Sequence, residues 1–190
     1  MTARIPPHEE PYPPEVGDLL QRLVPPGLPP LRIMRTLARN GHMAGAMNSW
    51  ISYTLSDALS IDLRAREIII TRTCARCGCQ YQWGLHVAVF AERAAFTPEQ
   101  LRSLTYGTSA DPCWTERRDQ LLVDLVDDLH ERSDVDDSRW AALREYFTEE
   151  QLLDVIALCG WYHTISFLVR SARVEREPGI PGFGDLGLPA

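Results

Sequence analysis

Glu67, Cys79 and His86 place a carboxylate, a thiol and an imidazole within one short stretch of chain. On a helix that begins near Cys79, the residues Cys79, Gln82, Trp83, His86 and Phe90 recur three or four positions apart and share one face. A thiol attacks as its thiolate. A histidine that reaches it directly or through one water can take the proton, and a helix N-terminus favours the anion. The base must in turn be held in one tautomer by another group. Glu67 stands twelve residues before Cys79, where an antiparallel hairpin of two helices would return it to the site. Its helical neighbours Leu63, Ile70 and Cys74 are apolar, and carboxylates are almost never buried without a partner. Periodicity equally allows an exposed Glu67 paired with Arg64 or Arg66.

The elements that would position these groups read as helices. Apolar residues recur at helical spacing through Leu31, Met34, Leu37 and Ala38, and again through Met47, Trp50, Ile51 and Leu55, with a division near Asn40 and Gly41. Asp62 is placed to cap the helix that carries Glu67, Gly78 to break it, and a further helix is expected from about Gln80 to Ala95. Thr97-Pro98-Glu99-Gln100 and Thr148-Glu149-Glu150-Gln151 are capping-box starts, the second opening a long apolar helix to about Arg173. Between them lie an amphipathic helix from about Trp114 to Glu131 and a short one capped by Asp136 or Asp137. Glu67 to Thr71 is the only window with β character, and the helical register continues on both sides of it.

Residues 1–30 hold most of the fourteen prolines, which lack amide donors and fix φ, so an extended arm without regular helix is expected there. Residues 31–173 are expected to form an all-α, single-domain helical bundle. Residues 174–190, rich in Gly and Pro, should lie extended on a surface or a neighbouring subunit. Nineteen Lys and Arg against 26 Asp and Glu give a net charge of −7, which argues against nucleic acid or a membrane surface as partner. The first residues contain no apolar run of signal-segment type, and a cytoplasmic location is expected.

Five cysteines are an odd number, and Cys74, Cys77 and Cys79 fall within six residues, which is no framework for disulfide stapling. They read as thiols whose state can change. Cys74, Cys77, Cys79 and His86 match the ligand number of a zinc site, but the second knuckle usual in structural zinc sites is missing, so neither metal nor other cofactor is expected. Cys159 and His163, four apart in the last helix, read as a packed thiol and a hydrogen-bonded core histidine. Trp83, Phe90, Trp161 and Tyr162 read first as core aromatics and second as the wall of a substrate pocket. Cys113 has no partner in sequence, and the aspartates between Asp124 and Asp137 read as a solvated face.

The stretch from Arg66 to His86 resembles the core signature of the carboxymuconolactone decarboxylase and alkylhydroperoxidase D-like superfamily. The decarboxylases show a glutamate, an eleven-residue gap and Tyr-Glu-Trp-x-x-His, matched here by Glu67 and Tyr81-Gln82-Trp83-Gly84-Leu85-His86. The peroxidase branch shows the same gap and then Cys-x-x-Cys-x-x-x-His, matched at Glu67, Cys79 and His86. Gln82 stands where that branch has its second cysteine, so no disulfide can form inside such a motif. The resemblance implies a helical bundle that assembles as a homo-oligomer, whether dimer, trimer or hexamer. It also implies a peroxidase-like oxidoreductase in which Cys79 reduces a hydroperoxide and His86 and Glu67 relay the proton. Cys77 and Cys74 are the local candidates for the resolving thiol, an external thiol reductant is the other, and Gln82, Tyr81 and Trp83 would position substrate. Two alternatives stand beside this reading. One is a decarboxylase-like lyase or ring-opening enzyme, with His86 and Glu67 as acid and base on a lactone. The other is a non-catalytic helical oligomer or thiol redox sensor.

Overall fold

Proline starts the first helix of this chain instead of forbidding it. The computed structural model describes residues 2–24 and 27–186, so Pro25 and Pro26 of the expected arm and residues 187–190 of the expected tail lie outside the described residues. Helix α1, Pro14–Leu23, has Pro14 at its first position, where the missing N–H would have no helical acceptor in any case. Val16, Leu19, Leu20 and Leu23 are buried along one stripe. The arm is therefore not wholly extended: its prolines flank a ten-residue interval that contains only Pro14, at the tolerated end. Helix α2 is Arg32–Leu37, followed by a 3₁₀ turn over Ala38–Asn40. Helix α3, Gly41–Thr54, is capped by the Asn40 side chain, which accepts from Met43 N–H at 3.1 Å.

The described residues fall into two compact units, one from residues 2–24, 27–59 and 168–179, the other from residues 60–167 and 180–186. In the first, the segment before α1 is tied down by backbone bonds: Arg4 N–H donates to Ala172 O at 2.9 Å and His8 N–H to Arg35 O at 3.2 Å.

The second unit is organised around α4, Leu63–Arg76, which Asp62 caps by accepting from Ala65 N–H at 2.8 Å. Every residue from Ala65 to Cys74 is buried. A helix covered on all sides has no amphipathic stripe to display. That is why Ile68, Ile69 and Ile70 resemble a strand locally and are helical here, with tertiary packing overriding β propensity. Around α4 pack α5 (Gln80–Phe90), α6 (Pro98–Tyr106) and α7 (Arg117–Arg132). Helix α8 (Asp137–Leu143) packs on α7, and α9 spans Glu149–Ala172. The Thr97 and Thr148 capping boxes form as their sequences required, and Asp136, not Asp137, caps α8. Helix α5 ends five residues before the expected Ala95.

Polar side chains lock α4 in place. Arg72, 3 % exposed, binds both carboxylate oxygens of Asp127 on α7 at 2.8 and 2.7 Å, and donates to the Ser103 and Leu104 carbonyls of α6. Arg64 pairs with Asp119 at 2.7 Å. Asp124, Asp127 and Asp128 are therefore partly buried ion-pair partners of arginines and not a freely solvated face. Helix α9 is long and apolar enough to cross a bilayer by length and composition, yet half of that stretch is buried inside the molecule. No strand occurs among the described residues.

Candidate active site

The turn after α4 decides where the sulfurs go. Cys77 is the C-cap, Gly78 takes a left-handed φ of 63°, Gly78 N–H donates to Ala75 O at 2.9 Å and Cys79 N–H to Cys74 O at 2.8 Å. This is the Schellman arrangement, which glycine enters without a Cβ penalty. Cys79, two residues beyond the cap, is at the same time the N-cap of α5, so it stands at the positive end of that helix dipole while only 1 % exposed.

His86, two turns along α5, reaches across to α4, where its Nδ1 is 2.8 Å from Oε2 of Glu67. Its Nε2 is 2.8 Å from the hydroxyl of Tyr162 on α9. A phenol has a proton to give and a carboxylate only lone pairs, so the partners assign the tautomer: Tyr162 O–H donates to Nε2, and Nδ1–H donates to Glu67. Glu67, with no exposed surface, also accepts from Arg66 Nε at 2.8 Å on its other oxygen. The Arg66 guanidinium lies 4.7 Å from the centroid of the Phe90 ring. A hydrogen-bonded chain thus runs Tyr162, His86, Glu67, Arg66 through buried side chains of three helices. Burial, reinforced by Glu67 and then Cys74, holds the Tyr162 hydroxyl well above the usual phenol range, so it remains a donor.

Cys74 is two turns from Glu67 on α4 and buried. Burial first, then the neighbouring Cys79 and Cys77 sulfurs, push its thiol well above the usual range, and Glu67 adds to the shift. None of the five cysteines is in a disulfide.

Of the residues singled out in the sequence, Glu67 and His86 meet directly, and Cys74, Cys77 and Cys79 cluster at one turn. The alternative of an exposed Glu67 is ruled out by its burial, although the expected Arg66 pairing is made as well. The thiol-to-imidazole contact that a shared helical face allowed is not the one His86 makes, since its two ring nitrogens engage Glu67 and Tyr162. Seven residues of helix advance about 10 Å, beyond the reach of a cysteine side chain. Tyr162 and Glu67 are the groups that bond the two ring nitrogens of His86.

Tyr81 is buried, Gln82 half-buried and Trp83 fully buried. The indole N–H of Trp83 has no acceptor among the described residues. The chain's own tail covers this helix: Phe183 meets the Trp83 ring edge-on at 5.2 Å between centroids, and its N–H donates to Gln80 Oε1 at 3.3 Å. A Cβ at Gly84 would lie 2.0 Å from the Pro181 carbonyl oxygen. Residues 180–183 are thus seated on α5. Tyr162 was legible only as an aromatic in an apolar helix, because nothing in sequence ties it to a histidine 76 positions away.

No protein-family model matches this chain, and no curated protein does. Solved structures do. A peroxidase-related protein from Silicibacter sp. TM1040 superposes with a TM-score of 0.76 at 14 % identity, covering 94 % of this chain and 92 % of that one. A peroxidase-related protein from Ralstonia eutropha JMP134 with an alkylhydroperoxidase core gives 0.74 at 18 % identity over 100 % of both chains. A variant of the debrominase Bmp8, in complex with 2,3,4-tribromopyrrole, gives 0.72 at 14 % identity over 94 % of each chain. At such identities the likeness establishes the fold.

Proposed function

We propose that this chain, which has the alkylhydroperoxidase D-like fold of the carboxymuconolactone decarboxylase superfamily, is a thiol-dependent peroxidase-like oxidoreductase working through Cys79 and Cys74. The observation that supports it most is the buried chain of Tyr162, His86 and Glu67 beside a three-cysteine turn. Cys79, at the N-terminus of α5, is the nucleophile, because the helix dipole favours its thiolate. Its sulfur attacks one oxygen of a hydroperoxide. The S–O bond forms as O–O breaks, and the departing alkoxide takes a proton through Tyr162 and His86 to leave as alcohol. Cys74 then surrenders its proton, attacks the sulfenic sulfur and displaces hydroxide, which leaves as water. The resulting Cys74–Cys79 disulfide takes two electrons and two protons from an external thiol reductant. In this scheme Cys79 takes the attack that the resemblance would give to a cysteine at position 82, and Cys74, on the preceding helix, supplies the resolving sulfur. The Trp83 indole N–H and the Gln82 amide supply the polar contacts that orient substrate.

The acid-base alternative draws on one specific observation: the two ring nitrogens of His86 bond a carboxylate and a phenol. A lactone-opening enzyme would need only those groups. Serine replacements separate the two readings. On the redox reading Cys79→Ser abolishes hydroperoxide consumption and Cys74→Ser lets a sulfenic acid accumulate on Cys79, which thiol trapping and peptide mass mapping detect. Full peroxide turnover in Cys79→Ser would refute this scheme, and lactone turnover surviving both replacements would establish the acid-base one.

A further inference from the structure

The third sulfur of the turn faces a different set of neighbours. Cys77 is buried at the C-cap of α4, His130 is in the last turn of α7, and His163 is in the middle of α9. One ligand atom from each, the sulfur and two imidazole nitrogens, lie within 4.8 Å of one another. Nδ1 of His130 and Nε2 of His163 are 2.9 Å apart, and their rings are inclined by 31°. The other nitrogen of His163, Nδ1, is 2.9 Å from the backbone carbonyl of Cys159. A carbonyl can only accept, so Nδ1 carries the proton and Nε2 presents its lone pair to the cluster. That is how a ligating histidine is oriented in metal sites.

We propose that Cys77, His130 and His163 bind a zinc ion. One thiolate and two imidazoles suit this metal, with water completing four-coordination. Tetrahedral bonds of about 2.0 Å to nitrogen and 2.3 Å to sulfur place ligand atoms roughly 3.3 to 3.6 Å apart. The three groups therefore need to shift only slightly. In the metal-free protein one proton bridges the imidazoles, donated by His130 Nδ1 to His163 Nε2. On binding, that proton leaves Nδ1, His130 takes the tautomer protonated at Nε2, and the Cys77 thiol releases its proton to solvent. Both histidines are half-buried, so the ion has a way in. The site would clip α4, α7 and α9 together beside the redox turn and would withdraw Cys77 from thiol chemistry. This leaves Cys74 as the resolving thiol, but zinc binding itself does not depend on the peroxidase reading.

The test uses full-length protein stripped of metal by a chelator and kept reduced with a phosphine, then titrated with cobalt(II) as the spectroscopic probe. A thiolate-to-cobalt charge-transfer band with tetrahedral d–d bands should saturate at one ion per chain and be bleached by zinc. Cys77→Ser should abolish the charge-transfer band. His130→Gln and His163→Gln, verified as helical by circular dichroism, should each weaken binding by more than the roughly 100-fold that loss of an outer partner costs. Cys159→Ala should retain the band, since the carbonyl that holds Nδ1–H of His163 at 2.9 Å survives the replacement and the Cys159 sulfur, 3.8 Å from the same nitrogen, is not a proposed ligand. Independently of any variant, zinc should protect Cys77, and not Cys113, from alkylation mapped by peptide mass. No saturable band, a band that survives in Cys77→Ser, or Cys77 labelling that ignores zinc would each overturn the assignment.

Discussion

Replacing Glu67 by Gln keeps the shape of the side chain and removes its charge, so it isolates what the carboxylate does. One oxygen accepts from Arg66 and the other from His86, each at 2.8 Å, with no exposed surface at Glu67. An amide has a single acceptor. If its oxygen faces Arg66, its NH₂ faces Nδ1 of His86, which must then become an acceptor. The imidazole proton moves to Nε2, and Tyr162 must turn its hydroxyl proton elsewhere. If the oxygen faces His86, two donors confront each other at Arg66. Either way a guanidinium whose side chain is 10 % exposed loses the carboxylate that it bonds at 2.8 Å. Removing one partner of a buried ion pair costs about 3 to 5 kcal/mol. The Phe90 ring stays in place beneath Arg66 and offsets part of this, so about 3 kcal/mol is expected. Urea unfolding should show the midpoint falling at unchanged slope. Adding Arg66→Gln in the Glu67→Gln background should cost less than Arg66→Gln alone, because the pair between them is already broken. Nitrogen-resolved NMR of His86 should find its proton on Nδ1 in the native protein and on Nε2 in the variant. A loss under about 1 kcal/mol, or equal costs for Arg66→Gln in both backgrounds, would refute the coupled chain.

Tyr162→Phe leaves Nε2 of His86 buried without its donor and should destabilise by about 1 to 3 kcal/mol, read in the same urea assay, with hydroperoxide turnover falling more than stability alone explains. Alkali should weaken the fold. Burial lifts the Cys159 thiol to about 11 from an ordinary 9, so its contribution is intact below the unfolded value and is lost as pH rises through the folded one. Two units correspond to about 2.7 kcal/mol once pH has passed the folded value, of which about 2 kcal/mol is lost by pH about 10.5, and Cys74 and Tyr162 shift in the same direction; unfolding midpoints at pH about 8 and about 10.5 should differ accordingly, and Cys159→Ala should flatten the dependence. Gly84→Ala puts a methyl against the Pro181 carbonyl, a backbone atom that cannot swing aside, so the 180–186 segment should lift from α5 and become cleavable by limited proteolysis while α4 to α7 stay protected.

What sequence reasoning could reach here was set by whether the signal is local. Caps are local: Asp62, Thr97, Asp136 and Thr148 marked helix starts because their side chains bond a backbone N–H three residues on. Gly78 marked the hairpin for the same reason. Where burial is complete, periodicity fails: Ile68 to Ile70 gave no stripe because every face of α4 is covered. Composition also misled at the arm, since averaging over residues 1–30 hid the order of the prolines, with Pro14 at a tolerated first turn and the apolar stripe running behind it.

The site divides along the same line. Glu67 and His86 were legible because two consecutive helices joined by a tight turn must lie side by side, whereas Tyr162 and His130 arrive from α9 and α7 and have no sequential relation to the turn they serve. The turn itself explains why three cysteines can sit so close and differ so much. A Schellman end fixes the last turn of one helix, its cap and the start of the next in three directions. Cys74 looks inward along the face of Glu67, Cys79 stands at the positive end of α5, and Cys77 lies toward the histidines of α7 and α9. Sulfurs in such different surroundings cannot share one chemistry, because thiolate stability follows local dielectric and neighbouring charge. On the proposed redox reading the partner of Cys79 lies on α4 and not at position 82, so the pair depends on Gly78 holding the turn. Gly78→Ala, strained at that positive φ, should impair Cys74–Cys79 disulfide formation even where the helices survive, and oxidised-peptide mapping that found the bridge formed as fast as in the native chain would show that the turn is not what pairs them.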